Sequence, residues 1–347
     1  MPTVARRRLR GGVPRLAACA VRRHSAGIAL FMVLWVLTLL AVIVGQLSYS
    51  VRGELKALRN MKDSAEAYYI AEAGLALATL ALLQGSETAG DSDAETSEAV
   101  LRVNAPLPIV PYAGGRVGIW VDNSSGQVDL NTADAPLLRL MLGGLNLDED
   151  RMDTIVDAIM DWRDEDEFHR ASGAESDYYR SLPEPYYSKN ADFDSIEELR
   201  LVKGVTEELF DPLRERFTVF TDSASESRQL RKLFRKGAAA EAGHINLNAA
   251  HPDVLMALPE MTEERVAAIA EFRQNRDFKS LTEVSDLLGP GVFAEMAPYV
   301  SLEMTPYYTI YAEAMVYQSK VRQRIALKIR IDPQNPQGFT VIERIEG

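Results

Sequence analysis

One cysteine, four histidines and three tryptophans are all that this 347-residue chain holds of the side chains that most often carry disulfides, zinc sites and redox chemistry. The cysteine, Cys19, lies in a basic N-terminal stretch, so a chain that loses this stretch has no disulfide to depend on. There is no nucleophile motif, no glycine-rich phosphate loop and no histidine–acid constellation, and Ser124-Ser125-Gly126 reads as a turn. The chain is therefore expected not to be an enzyme. Basic residues are in deficit, 38 against 50 acidic, for a net charge of −12. Arg6, Arg7, Arg8, Arg10, Arg15, Arg22 and Arg23 all precede residue 27, and without them the balance is 31 against 50, or −19. Such a surface repels nucleic-acid phosphates and attracts cations, so no nucleic-acid partner is expected. The short basic run at Arg228, Arg231, Lys232, Arg235 and Lys236 reads as a solvated connector.

Charge is also missing from Ile28 to Leu47, where only Thr38 and Gln46 are polar. At about 1.5 Å of rise per residue this run crosses a hydrocarbon core of about 30 Å, and it reads as a transmembrane helix. The acid-free, arginine-rich leader holds the N-terminus in the cytoplasm and sends everything after Tyr49 across the membrane. An ordinary secretory signal has its small-residue cleavage site after the apolar stretch; here the clean small-residue boundary, Gly27-Ile28, comes before it. The junction resembles a prepilin-type signal. That resemblance implies cutting after Gly27 by a prepilin peptidase and N-methylation of Ile28, the alternative being an uncleaved signal anchor. From Val51 to Leu83 no proline interrupts a helical recurrence of Leu55, Leu58, Ala65, Tyr69, Ala73 and Leu75, which predicts one long helix, half in lipid and half out.

Residues 84–104 are acidic and small, and read as a linker. Strands are predicted at Gly115–Val121, Tyr307–Tyr317, Val321–Ile331 and Phe339–Ile345, the last two separated by the turn-forming DPQNPQG. Between the first strand and the other three lies a helical insert, 129–303, that repeats internally. VDLNTADAPLLRLM from Val128 matches INLNAAHPDVLMAL from Ile245; AIMDWR from Ala158 matches AIAEFR from Ala268; FDSIEELRLVKGV from Phe193 matches FKSLTEVSDLLGP from Phe278. Asn131 and Asn248 look like helix N-caps. The repeats resemble helix-hairpin-helix modules, but the turns corresponding to that module's glycine-rich turn, LPEMTEE at Leu258 and LVKGVTEE at Leu201, lack paired glycines and carry Glu260, Glu263, Glu264, Glu207 and Glu208 where phosphate would approach. A packing scaffold is expected.

The spacing of the matched blocks gives the first repeat about 25 extra residues after Arg163. This insertion, within DWRDEDEFHRASGAESDYYRSLPEPYYSKNADFD, concentrates Asp161, Asp164, Asp166, Glu175, Asp177, Asp192 and Asp194, with Gly173 available for a sharp turn. Oxygen donors in that number suit Ca²⁺, whereas zinc would call for more than the single His169. The EF-hand spacing is absent, and the bland alternative is a solvated acidic loop. The insertion shows no evident apolar core, although its tyrosines are available to pack.

Together, the Gly27-Ile28 junction with GIALFMVLWVLTLLAVI, the AYYIAEAGL segment, the insert opening with DLNTA, and DWRDEDEFHRASGAESDYY followed by EELRLVKGV are similar to the minor pseudopilin K family of type II secretion systems. The resemblance implies an α+β, pilin-like fold. A leader (1–27) precedes a transmembrane and spine helix (28–83), the linker (84–104), a first strand region (105–128), the inserted helical domain (129–303) and C-terminal strands (304–347). It implies calcium held chiefly by Asp161, Asp164, Asp166 and Glu175. It further implies a place in the bacterial inner membrane with the C-terminal region in the periplasm. The implied partners are minor pseudopilins I and J, the prepilin peptidase, the major pseudopilin, the secretin and cargo. Most pilin-like subunits carry glutamate at the fifth mature position, where it neutralises the amine of the subunit above; here that position is Met32, which suits a subunit with nothing above it. The competing reading is a minor pilin of a type IV system, acting in adhesion or DNA uptake.

Overall fold

The computed structural model describes residues 26–88, 102–104, 109–112, 114–220 and 245–346. The leader up to residue 25, most of the linker predicted at 84–104 and the basic run at 228–236 lie outside the described residues. The chain divides into two compact units, Met1–Asn60 and Met61–Gly347. In the first, the described part belongs to α1 (Ala26–Thr88), which is long and apolar enough to cross a membrane. Every described side chain from Ile28 to Asn60 is exposed, Met32 among them. The uncharged apolar surface from Ile28 to Leu47 is stable only in a nonaqueous surrounding.

In the second unit α1 turns amphipathic. Ala67, Ile70, Ala71, Leu75 and Ala78 are buried against a five-stranded antiparallel sheet of order β1 (Val110–Tyr112), β2 (Gly115–Asn123), β7 (Tyr307–Val316), β8 (Arg322–Ile331), β9 (Phe339–Glu346). The small side chains let the helix lie close to the sheet, and a Cβ on Gly74 would come within 2.7 Å of Val117 Cγ2. Val117, Ile119 and Val121 of β2 and Ile310, Ala312, Ala314 and Val316 of β7 face this helix, as strict alternation dictates. The four predicted strands are present to within two residues at each end; β1, only three residues long, was not predicted. The DPQNPQG turn closes through Asp332 N–H to the Gly338 carbonyl at 2.9 Å, with Gly338 at φ 77°.

The helical insert leaves the sheet after β2 and returns at β7, and these two strands are neighbours: Asn123 faces Tyr308. Inside the insert each repeat begins and ends on one strand of a two-residue parallel pair, β3 (Val128–Asp129) with β4 (Phe217–Thr218), and β5 (Ile245–Asn246) with β6 (Val300–Ser301). The first repeat contains α2 (Ala135–Leu142), α3 (Glu149–Arg163), α4 (Ser176–Arg180), a 3₁₀ segment Ile196–Leu201 and α5 (Glu207–Arg216). The second contains α6 (Pro252–Ala257), α7 (Glu263–Asn275), α8 (Leu281–Leu288) and α9 (Pro290–Met296). One continuous apolar core, from Val128 to Val300, joins them. Where the repeats meet, Gly126 lies so close to the Ala249 carbonyl that a Cβ has no room.

Two sequence expectations need correction. Asn131 and Asn248 are not N-caps; Asp134 and His251 cap α2 and α6. Instead each asparagine amide pairs with the backbone of a distant phenylalanine. Asn131 accepts from Phe193 N–H at 2.7 Å and donates to its carbonyl at 3.0 Å, and Asn248 does the same to Phe278 at 2.9 and 3.0 Å. The turns at Leu258 and Leu201 are likewise not equivalent. LPEMTEE joins α6 to α7, and its counterpart between α2 and α3 begins with the paired glycines Gly143-Gly144; LVKGVTEE corresponds to the α8–α9 turn, with Gly204 and Gly289 at φ 88° and 92°. Helical pattern alone did not distinguish two successive turns of one repeat.

Candidate metal centre

The acidic insertion starts where α3 stops. Burial of Ile155, Val156, Ile159 and Trp162 fixes the face of α3 that meets the core, and this carries Asp161 inward with them to complete burial. Asp164 caps the helix and the chain then turns back as a loop. The tyrosines of the insertion pack after all: Tyr179, wholly buried, meets the Trp162 ring edge-on at 5.2 Å and stacks on Tyr186 at 5.1 Å, while Phe193 stacks on Trp162 at 6.3 Å. The loop thus rests on an aromatic floor, which adds about 0.5–1.5 kcal/mol per ring pair beyond area burial.

On that floor the carboxylate oxygens of Asp164, Asp166 and Glu175 come within 4.8 Å of one another. They grade from solvent to interior: Asp166 is exposed, Asp164 half-buried and Glu175 only 1% exposed. Both Glu175 oxygens, Asp164 Oδ1 and Asn190 Oδ1 are buried without a hydrogen-bond partner. The Ser188 hydroxyl is a polar neighbour of Glu175 and is itself held by Ser176 Oγ at 2.7 Å. Burial, opposed by Ser188 and reinforced by the charges of Asp161, Asp164 and Glu167, pushes the Glu175 carboxyl up to about 7. A buried carboxylate with no cation and at most the Ser188 hydroxyl as donor is costly, commonly by several kcal/mol, so this arrangement calls for a positive ion or a proton.

The other predicted acids stand apart from that triad. Asp161 is engaged by Arg170, whose backbone N–H reaches Oδ2 at 3.0 Å and whose Nη1 reaches Oδ1 at 2.6 Å. Asp177 lies exposed in the first turn of α4 and accepts from Tyr178 N–H at 2.7 Å. Asp194 pairs with Lys189 Nζ at 2.7 Å, and Asp192, in the same stretch, is half-buried. Gly173 is the close-approach glycine: a Cβ there would collide with Asp161 Oδ2. Asn190 was not anticipated. Its Nδ2 donates to the Asp166 carbonyl and to Glu167 Oε1, both at 3.0 Å, from a backbone at φ 50°. A neutral amide carries no charge to mark it in an acidic run, although amide oxygens are ordinary calcium ligands. The donor set, all oxygen with four buried atoms unpartnered, fits a hard cation such as Ca²⁺ and does not fit zinc.

Comparison with known proteins gives a consistent answer. Residues 120–222, which include the first repeat and its insertion, match the family model for the type II secretion system (T2SS), protein K. The type II secretion system protein K of Pectobacterium carotovorum is 40% identical over 90 residues, 26% of this chain and 27% of its own length. That of Aeromonas hydrophila is 27% identical over 54% of this chain and 61% of its own length, and that of Pseudomonas aeruginosa 24% identical over 75% and 76%. The matched region thus spans less than two thirds of the Pectobacterium and Aeromonas relatives. Among solved structures, a chain of the GspK–GspI–GspJ complex of enterotoxigenic Escherichia coli superposes with a TM-score of 0.54 at 17% identity, covering 84% of this chain and 99% of that one. At that identity the likeness establishes the fold.

Proposed function

We propose that this chain, a member of the type II secretion system protein K family, acts as the membrane-anchored minor pseudopilin that assembles with pseudopilins I and J to cap or initiate the pseudopilus, supporting export of folded proteins across the outer membrane. The observation that carries the reading is topological: a bulky helical insert interrupts a small sheet between the neighbouring strands β2 and β7, and that sheet is packed on a helix that begins as a membrane-length apolar segment. Met32 at the fifth position after Gly27, with no carboxylate to offer a subunit above, supports the terminal place, as does the volume of the insert. Cleavage after Gly27 by a prepilin peptidase, methylation of Ile28, insertion in the inner membrane and a periplasmic location for the remainder belong to the same reading.

Calcium is part of it. Asp164, Asp166 and Glu175, with Asn190 beside them, are the residues that would hold the ion, and bound calcium would supply the positive charge that their buried oxygens lack. Asp161, Asp177 and Asp194 have other partners, namely Arg170, the Tyr178 N–H and Lys189. The test is affinity purification of the full chain from detergent-solubilised inner membranes of cells that express pseudopilins I and J. Recovery of both, together with loss of secretion when this chain is deleted, is expected. Recovery of neither, with secretion intact, would sink the assignment and move weight to an adhesive minor pilin.

A further inference from the structure

The acidic cluster contains a cation of its own. Arg170 Nη1 lies 2.6 Å from Asp161 Oδ1 and 2.8 Å from Asp164 Oδ2, and the Arg170 backbone N–H closes on Asp161 Oδ2 at 3.0 Å. Asp161 is wholly buried, so these bonds offset a desolvation cost that an unpaired carboxylate would impose in full. The oxygens without partners are different atoms: Asp164 Oδ1, both of Glu175, and Asn190 Oδ1. Asp164 is therefore shared, one oxygen turned to the guanidinium and the other left free. Lys203 holds the far side of the loop, its Nζ donating to the carbonyls of Ser172 and Gly173 at 3.1 and 2.9 Å, which fixes the glycine against Asp161.

We propose that Arg170 divides this cluster, acting as a built-in cation for Asp161 and Asp164 Oδ2, so that Asp161 is a positioning residue and the metal-facing oxygens are those of Asp164 Oδ1, Asp166, Glu175 and Asn190. The inference rests on the calcium reading for its second half and on the Arg170 geometry alone for its first. It corrects the expectation from family resemblance that Asp161 is a ligand. A like-charged guanidinium beside a calcium ion is tolerable because Arg170 spends its charge on two carboxylates at direct contact.

The test uses the full chain in detergent, with calcium alone as the titrant. Calorimetry should show that Asp161→Asn keeps calcium affinity within about threefold, whereas Glu175→Gln loses it by about 30-fold or more, since only the latter removes a metal-facing charge. An Asp161→Asn loss as large as that of Glu175→Gln makes Asp161 a ligand and overturns the division. In excess chelator, Arg170→Gln should raise the rate of chymotryptic cleavage at the exposed Phe168 by about tenfold over the parent, through local opening of the loop, while Arg170→Lys, which keeps the charge, should raise it less. An unchanged rate for Arg170→Gln overturns the built-in cation. If the parent chain binds no calcium at all, the calcium reading fails, and the cleavage result still decides the role of Arg170.

Discussion

The two repeats of the helical insert are the same scaffold with and without an acidic loop. Both close on a two-residue parallel strand pair, both clamp a phenylalanine backbone with an asparagine amide, and both use an arginine at the end of their long helix to hold carbonyls in the opening turn. Arg163 donates to Leu130 and Ala133, and Arg273 to Ala250. In the second repeat α7 runs almost directly to Phe278, whose ring stacks on Phe272 at 4.1 Å. In the first, the loop carrying Asp164, Asp166, Glu175 and Asn190 intervenes before Phe193. The difference shows that the acidic loop was accommodated without altering the frame, because the asparagine clamp fixes where the chain must return, whatever lies between.

The comparison breaks most visibly if calcium is removed. At calcium about 1,000-fold above its dissociation constant, linkage gives about 4 kcal/mol of stabilisation, and this should be lost in Glu175→Gln, read as the difference in thermal midpoint between calcium and chelator. Hydrogen exchange should place the protected amides in the first repeat; protection spread equally over both repeats would contradict the site. Next in size are the clamps. Asn248 is 5% exposed and Asn131 half-buried, so Asn248→Ala should cost about 2–3 kcal/mol and Asn131→Ala less, measured by denaturant unfolding; the reverse order would show that the first clamp bears more load. Gly126→Ala, at the junction of the repeats, should cost about 1–3 kcal/mol through backbone displacement, and a neutral result would show the junction to be pliable.

The smallest effect concerns Asp122, near Glu215 of the first repeat and His251 and Arg273 of the second. Burial pushes its carboxyl up to about 6, against an opposing bond from the Trp120 indole. Because its folded value lies above the ordinary aspartate range, the unfolded chain releases this proton first, and stability falls as pH rises from about 4 through about 6. Asp122→Asn should therefore be more stable than the parent by about 1–2 kcal/mol near pH 7 and equal to it near pH 4. Parallel pH profiles for the two proteins would refute the assignment.

Much of this was legible in the residues. The apolar run, the long helix and the four principal strands follow from periodicity, which is strong wherever an element exceeds about five residues. Two-residue strands have no period, so β3 to β6 could not be read, and β1 is barely longer. Asn131 and Asn248 were noticed and misassigned, because their partners lie 62 and 30 residues away, whereas an N-cap is a local expectation. Among the acids, composition marked the loop but not its division: Asp164, Asp166 and Glu175 converge, Asp161 turns to Arg170, and Asp194 turns to Lys189. Which carboxylate meets a cation and which meets a side chain is decided by the fold of the loop, and a string of acids does not encode that order.

Asn123 and Thr305 bind each other at the neck of the insert, through Asn123 Nδ2 to the Thr305 carbonyl at 2.8 Å and Thr305 N–H to Asn123 Oδ1 at 3.2 Å. Pairing β2 with β7 in an otherwise unstructured chain means closing a loop of roughly 180 residues, an entropic cost of about 4–5 kcal/mol. Once the insert has folded and this neck has closed, only a few residues remain to be joined and most of that cost has already been met within the insert. The expected order in folding is therefore that the inserted domain forms first and the small sheet assembles on its completed ends, and pulsed hydrogen exchange that protects the sheet before the insert would contradict it.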